Sequence, residues 1–309
     1  MAQLTSRPLT DELTPSRSGA ATLVLSGAAL FGTIGTAQVL GPDVPAPQLA
    51  AARLLLAAPL FLVVAVATGH LAALSVMWRH PPTWWAGLGQ AGFNLCFLAA
   101  MTEAGVAVGT LVAIGATPIL TGLASRHVSR LWLGATSIAV TGLVLLVGAQ
   151  MDTSSAPSVL GVVLALGASA SYATYILAGK ASGARGLETQ PYLAASFTVA
   201  AVLTLPLLFA GDLTAMTTPS GVLLVVYLAV VPTVVAYSLF NRGLHGVRSS
   251  TASTLGLIEP VVAAGLAVLL VGERLSPLGV VGALLIVTGL LLIVRSAGDS
   301  SEHVPTEIG

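Results

Sequence analysis

Apolar runs of membrane-crossing length recur along this chain almost from end to end. A helix needs about 20 mostly apolar residues to span a bilayer, because lipid leaves every backbone polar group to be satisfied within the segment. The sequence offers ten such runs, at 20–40, 47–68, 83–102, 106–125, 131–149, 158–178, 190–210, 220–241, 250–271 and 277–295. Continuous runs exclude a transmembrane barrel, whose strands alternate apolar and polar positions over shorter segments. Only 8% of the 309 residues are charged, against about 25% in a soluble domain, so the bulk of the chain belongs in lipid. Turn-rich breaks separate most runs: GPDVPAP at 41–47, RHPP at 79–82 and MDTSSAPS at 151–158. Between the third and fourth runs Glu103 and Gly105 are nearly the only break.

The charges predict an orientation. One set of connections carries Arg7, Arg17, Arg79, Arg126, Arg130, Lys180, Arg185, Arg242, Arg248 and Arg295, ten of the 12 lysines and arginines. The opposite set carries Arg274, together with the acids Asp43, Glu103, Asp152, Asp212 and Glu273, while Arg53 lies inside the second run. The positive-inside rule then places both termini in the cytoplasm of a multi-pass cell-membrane protein. Residues 1–19 lack the basic-then-apolar order of a secretory signal and read as a disordered cytoplasmic tail, as does the acidic stretch 296–309. Net charge is zero, which gives no sign of a nucleic-acid partner. Cys96 is the only cysteine, so no intrachain disulfide or cysteine-built metal site can form, and neither cofactor nor metal is expected.

The two halves echo one another. Residues 105–118 read GVAVGTLVAIGATP and 246–260 read GVRSSTASTLGLIEP; each has Gly-Val, a Thr five residues after the Gly, and then a proline. Residues 134–147 (GATSIAVTGLVLLV) match 282–294 (GALLIVTGLLLIV), and Pro59 matches Pro206. Five runs per half is an odd number, so the second repeat must enter the membrane upside down relative to the first. The expected fold is an all-α integral membrane protein of ten transmembrane helices, built as two inverted five-helix repeats at 20–149 and 158–295 with an outer linker at 150–157. Inverted repeats with proline-interrupted helices are how many secondary transporters form a midplane site and alternate its access. Pro59, Pro118, Pro206, Pro232 and Pro260 are the expected helix breaks.

The second half contains VVPTVVAYSLFNRGL and GLIEPVVAAGLAVLLVGERLSPLGVVGALLIVTG. With Pro232-Thr233, Ala236-Tyr237, Gly243-Leu244, Glu259-Pro260, Gly272-Glu273-Arg274 and Gly282, it resembles the EamA-type family of the drug/metabolite transporter superfamily. GTIGTAQ at 32–38, Arg53 and GVAVGTLVAIGATP match that family more loosely. The first half departs from the pattern by lacking a Gly-Glu-Arg counterpart, and its fourth run ends within eight residues of Pro118, at Arg126. The resemblance implies ten helices, a central cavity lined by spans one to four and six to nine, fifth and tenth spans outside it, and export of small metabolites, often amino acids or related compounds.

Candidate site residues are the polar groups in these runs. Glu259 is the only charge in 250–271, and a charge at bilayer depth costs several kcal/mol unless it faces protein or water. On a helical wheel Ala252, Gly256, Glu259, Ala263 and Ala267 form one stripe, with Leu257, Val261 and Val268 opposite toward lipid. Glu259 reads as a substrate-amine contact, a protonatable coupling group, or an interhelical hydrogen bond. Arg53 binds a substrate carboxylate, pairs with Glu259, or snorkels to the outer headgroups. Gln90 and Asn94, four apart, share a face that lines a cavity or joins two helices. Tyr172, Tyr237 and Asn241 are further candidates, with Tyr237 about one turn inside the cytoplasmic end, although single tyrosines also serve as interface anchors. The partners expected are a small-molecule substrate and the bilayer. The Ala/Gly-rich tenth run could pair two copies into a homodimer or only cover the bundle. No P-loop is present. An intramembrane enzyme would need a clustered dyad or metal pair, and an ion channel a ring of filter groups; neither is visible.

Overall fold

The computed structural model describes residues 16–126, 128–149 and 158–299. The predicted linker 150–157, the tail residues 1–15 and 300–309, and His127 lie outside the described residues. Among the described residues all regular structure is helical. A broken first segment comprises α1 (Arg17–Phe31) and α2 (Thr33–Leu40). Then follow α3 (Ala46–Ala67), the short α4 (Leu71–Met77), α5 (Pro81–Ala104), α6 (Val106–Ser125) and α7 (Arg130–Gly148). The second half runs α8 (Val159–Ala184), α9 (Thr189–Thr204) with a 3₁₀ continuation Leu205–Ala210, the one-turn α10 (Thr214–Thr217), and α11 (Pro219–Ala229). A π stretch Val230–Val235 joins α11 to α12 (Ala236–Gly246). The ninth segment is α13 (Ser249–Leu255), α14 (Ile258–Leu266) and a π turn Ala267–Val271, and α15 (Pro277–Asp299) closes the chain.

Helix extends into both stretches expected as tails, over 17–19 and 296–299. Ser16 caps α1 by accepting a hydrogen bond from Gly19 N at 3.2 Å, which satisfies an otherwise orphaned donor, so the helix starts at Arg17 rather than 20. At the other end α15 continues to Asp299.

Among the described residues nine helical stretches are long and apolar enough to cross a membrane. The predicted third span is the exception. α5 has 24 residues, ample length at about 1.5 Å each, but it spends that length on polar groups: Thr83, Gln90 and Asn94 are all buried within the protein. A helix enclosed by others need not be apolar all round. Elsewhere large apolar side chains face outward, among them Leu223 (69% exposed), Val202 (63%) and Leu284 (62%), as a lipid-facing belt requires. Trp84 and Trp85, at the start of α5, are also exposed.

The most extensive helix contacts pair α5 with α8, α1 with α12, α3 with α9, and α7 with α15. Glycine permits the closest of these. A Cβ on Gly142 would stand 2.5 Å from the Gly282 carbonyl oxygen, and one on Gly282 would stand 2.5 Å from that of Gly142; small residues let membrane helices approach to backbone contact. The core beneath is aromatic. Phe61, Phe197, Phe240, Tyr175 and Tyr192 are fully buried, with Phe61 and Phe197 at 4.8 Å between ring centroids.

Gly105 is the whole connection between α5 and α6. Its φ of 82° and ψ of 159° lie in a region open essentially to glycine alone. A Cβ there would meet no atom within 4 Å, so substitution costs backbone strain and nothing else. Gly105→Ala is expected to destabilise the protein by about 1–3 kcal/mol, read as a lower Tm in detergent. At the same end of the bundle, Asp212 accepts from Thr214 Oγ1 at 2.6 Å and Thr214 N at 2.8 Å. Those bonds hold its carboxyl below the usual carboxylate range.

Candidate functional site

A cavity of about 960 Å³ opens between the helices. Its floor is at Thr117, Tyr172, Tyr237, Ser253 and Glu259, and its walls climb to Val39, Glu103, Val106 and Glu273. Those last four are exposed, so the cavity meets the surface at the end carrying the 41–45, 105 and 272–276 connections. The lining comes from the first, second, third, fourth and ninth segments, with Tyr172 alone from α8 and Leu228 and Tyr237 from the eighth. Two implications of the family resemblance change here. The seventh segment contributes nothing, and α7 does reach the rim, with Leu146 and Val147.

One wall is a polar chain. Arg53 Nη2 donates to Asn94 Oδ1 at 3.0 Å. Asn94 Nδ2 donates back along its own helix to the Gln90 carbonyl at 2.8 Å, and Gln90 Nε2 donates to the Tyr237 hydroxyl at 2.8 Å. The i, i+4 spacing of Gln90 and Asn94 makes this possible, since both project from one face of α5. The Arg53 guanidinium therefore turns inward rather than to the outer headgroups. Its Nε is buried without a hydrogen-bond partner among the described residues. Tyr237 is clamped by rings, with centroids 4.7 Å from Phe31 and 4.9 Å from Phe197. Because α12 extends to Gly246, Tyr237 sits about two and a half turns from the helix end, deeper than the one turn expected. Tyr172 stands beside Phe93 at 5.2 Å, and Phe93 stacks on Phe97 at 5.2 Å, giving an aromatic flank.

The facing wall is the ninth segment, which is broken at Gly256 and Leu257. Pro260 has no N–H, so the Gly256 carbonyl loses its i+4 donor; Glu259 N supplies one instead, at 3.0 Å. This tight turn starts α14 at Ile258 and puts Glu259 in its first turn, beside the cavity. Gly32, in the break between α1 and α2, fits against it: a Cβ there would stand 2.6 Å from the Glu259 carbonyl oxygen. Ser253, Gly256, Glu259, Ala263 and Ala267 line the cavity. On its other side the wheel holds for Val268, which is exposed, and fails at Leu257, because the break offsets the helix axis between its two parts. Leu257 is fully buried in the core, and so is Ala252. Among the described residues no ion pair joins Arg53 to Glu259, although both line the one cavity.

Asn241 is not brought to the cavity. It is fully buried, and its Nδ2 donates to the Tyr175 hydroxyl and to the Tyr237 carbonyl, joining α12 to α8. Among the prolines, α3 runs unbroken through Pro59 and α6 through Pro118, because one missing N–H in a long helix can be tolerated where neighbours satisfy the freed carbonyl. Pro206 falls in the 3₁₀ stretch, Pro232 in the π stretch, and Pro260 just after the break. Sequence reasoning passed over Thr117, Phe31, Phe93, Phe97 and Ser253, all of which line the cavity. The one available signal was Phe93 and Phe97 flanking Asn94 on α5.

The model of the EamA-like transporter family matches residues 159–295. The chain is 37% identical over 280 residues to the uncharacterized transporter YwfM of Bacillus subtilis (strain 168), covering 87% of this chain and 92% of that one. It belongs to the EamA-like transporter family. Family membership makes it a multi-pass membrane transporter and not an enzyme. A second relative in the drug/metabolite transporter superfamily, the threonine/homoserine exporter RhtA of Escherichia coli (strain K12), is 31% identical over 296 residues, with 91% of this chain and 93% of that one covered. A solved crystal structure at 22% identity aligns with a TM-score of 0.78 over 91% of this chain and 99% of that chain, which extends the likeness of fold to nearly its full length.

Proposed function

We propose that the protein is a secondary transporter that exports an amino acid or a related zwitterionic metabolite across the cell membrane by alternating access. One observation carries this reading: Arg53 and Glu259, a base and an acid, face a single cavity and make no ion pair with each other. A zwitterion bridges such a pair, its carboxylate to the guanidinium fork and its ammonium to Glu259. RhtA, by its name an exporter of threonine and homoserine, lends support. A cavity that reaches the surface at one end favours alternating access over a continuous pore.

In this reading ten helices cross, α5 included, as two inverted five-helix repeats. The packing supports it: exchanging each span for the one five later turns the α5–α8 pair into the α12–α1 pair, and leaves α3–α9 and α7–α15 unchanged. Both termini are cytoplasmic, Arg79, Arg126, Arg130, Arg185 and Arg248 lie on the cytoplasmic side, and the cavity opens outward. The test compares extracellular metabolites of cells with and without the overexpressed chain, without preselecting compounds. Enrichment of one or a few amino acids or close analogues is expected. Enrichment confined to compounds lacking an ammonium or a carboxylate sinks the reading.

A further inference from the structure

The end of the bundle opposite the cavity mouth is shut, and the bonds that shut it converge on one short element. On α13, Ser253 Oγ meets Thr121 Oγ1 of α6 at 2.5 Å, and Thr254 Oγ1 meets Thr136 Oγ1 of α7 at 3.0 Å. Trp132 Nε1 of α7 donates to the Ser250 carbonyl at 3.1 Å. All of these residues are buried. Just before α13, Lys180 Nζ of α8 donates to the carbonyls of Leu244, His245 and Val247, at 3.2, 2.8 and 2.6 Å.

Hydroxyls commonly bond across membrane helices, and here three of the four also have a partner within their own helix. Thr121 Oγ1, the donor to Ser253 in the closed pair, also has the Thr117 carbonyl at 2.9 Å, an acceptor its single proton can take instead. Ser253 Oγ and Thr254 Oγ1 donate to the Ser250 carbonyl at 3.0 and 2.9 Å. Each of these three therefore keeps a partner within its own helix when the cross-helix bond breaks, and of the four buried latch hydroxyls only that of Thr136 loses its partner, so most of the usual cost of breaking such bonds is avoided. The α7–α15 seam is the opposite case, since its Gly142 and Gly282 backbones are in contact and leave no such reserve.

We infer that α13 is the inner gate of the transporter, with the Thr121–Ser253 and Thr136–Thr254 pairs as its latch and the break at Gly256 and Leu257 as its hinge. The inference rests on the alternating-access reading above. Lys180 is a positioning residue: it ties the end of α12 to α8, so that α13 moves against a fixed neighbour. Glu259 follows the hinge by two residues, which places the cargo contact and the moving element on either side of one turn. When α13 swings from α6 and α7, the cavity floor at Thr117 and Ser253 opens toward the loop at 247–248.

The test uses the full chain in lipid nanodiscs, where both faces can be reached. In a Cys96→Ala background, Ser250→Cys reports on α13 and Ala139→Cys on the α7–α15 seam, each read as its labelling rate by a maleimide. Adding Ser253→Ala and Thr254→Val removes the latch hydroxyls of α13. The rate at the position-250 reporter is expected to rise roughly threefold or more, with the position-139 reporter unlabelled. An unchanged rate at 250, or both reporters rising together, overturns the gate. Labelling needs no cargo, so it separates the two readings: a fixed α13 with amino-acid export intact removes the gate and leaves the function standing, whereas a mobile α13 without amino-acid export does the reverse.

Discussion

Glu259→Gln should lower amino-acid export at least about tenfold, because the change removes a charge and little else. A hydrogen bond to a charged group is worth about 1.5–3 kcal/mol net, and every 1.4 kcal/mol is about tenfold in an equilibrium or a rate. Glutamine keeps the volume and the backbone bond from position 259 to Gly256, so the turn that starts α14 is preserved. The loss should fall on cargo rather than on folding. Efflux from loaded proteoliposomes, alongside Tm in detergent, separates the two. Export retained in full by the variant would reduce Glu259 to a structural role at most.

Arg53→Gln should be at least as damaging, and Arg53→Lys should not rescue it. The guanidinium anchors the polar wall through Asn94 while presenting further donors to the cavity. A lysine supplies the charge but not the planar fork that grips a carboxylate with two parallel bonds. Removing the arginine also leaves Asn94 Oδ1 short of its donor, at a cost of about 1–3 kcal/mol for a buried acceptor. Both variants are expected to lose about tenfold or more in efflux. Lysine restoring the original rate would mean that charge alone matters at this wall, and that the fork-to-carboxylate contact is wrong.

Much of this was legible in the chain because the membrane writes locally. Runs of apolar residues declare their own length, and polar residues placed inside them declare a reason for being there; Arg53, Gln90, Asn94 and Glu259 were visible on that ground, and the structure gathers them around one cavity or its bonded wall. What sequence reasoning missed depended on three-dimensional context. A helical wheel assumes one straight axis, so it sent Leu257 to lipid, when the break beside it buries the side chain completely. A proline inside an apolar run predicts a break, yet α3 and α6 pass through Pro59 and Pro118. Asn241 looked like the polar residues around the cavity, but its partner is Tyr175, 66 positions away, and no spacing rule could assign it. Thr110 of α6 and Thr251 of α13 marked the repeat, but Thr121, Thr136, Ser253 and Thr254 carried no signal, since hydroxyls are tolerated in membrane helices wherever a carbonyl lies one turn back.

The hairpin at Gly105 has a mechanical corollary. One residue joins Ala104 to Val106, which leaves no slack between the arm bearing Asn94 and the arm bearing Thr121. The arms are thus tethered at one end by a single open glycine, whose permissive backbone lets them change angle but not drift apart.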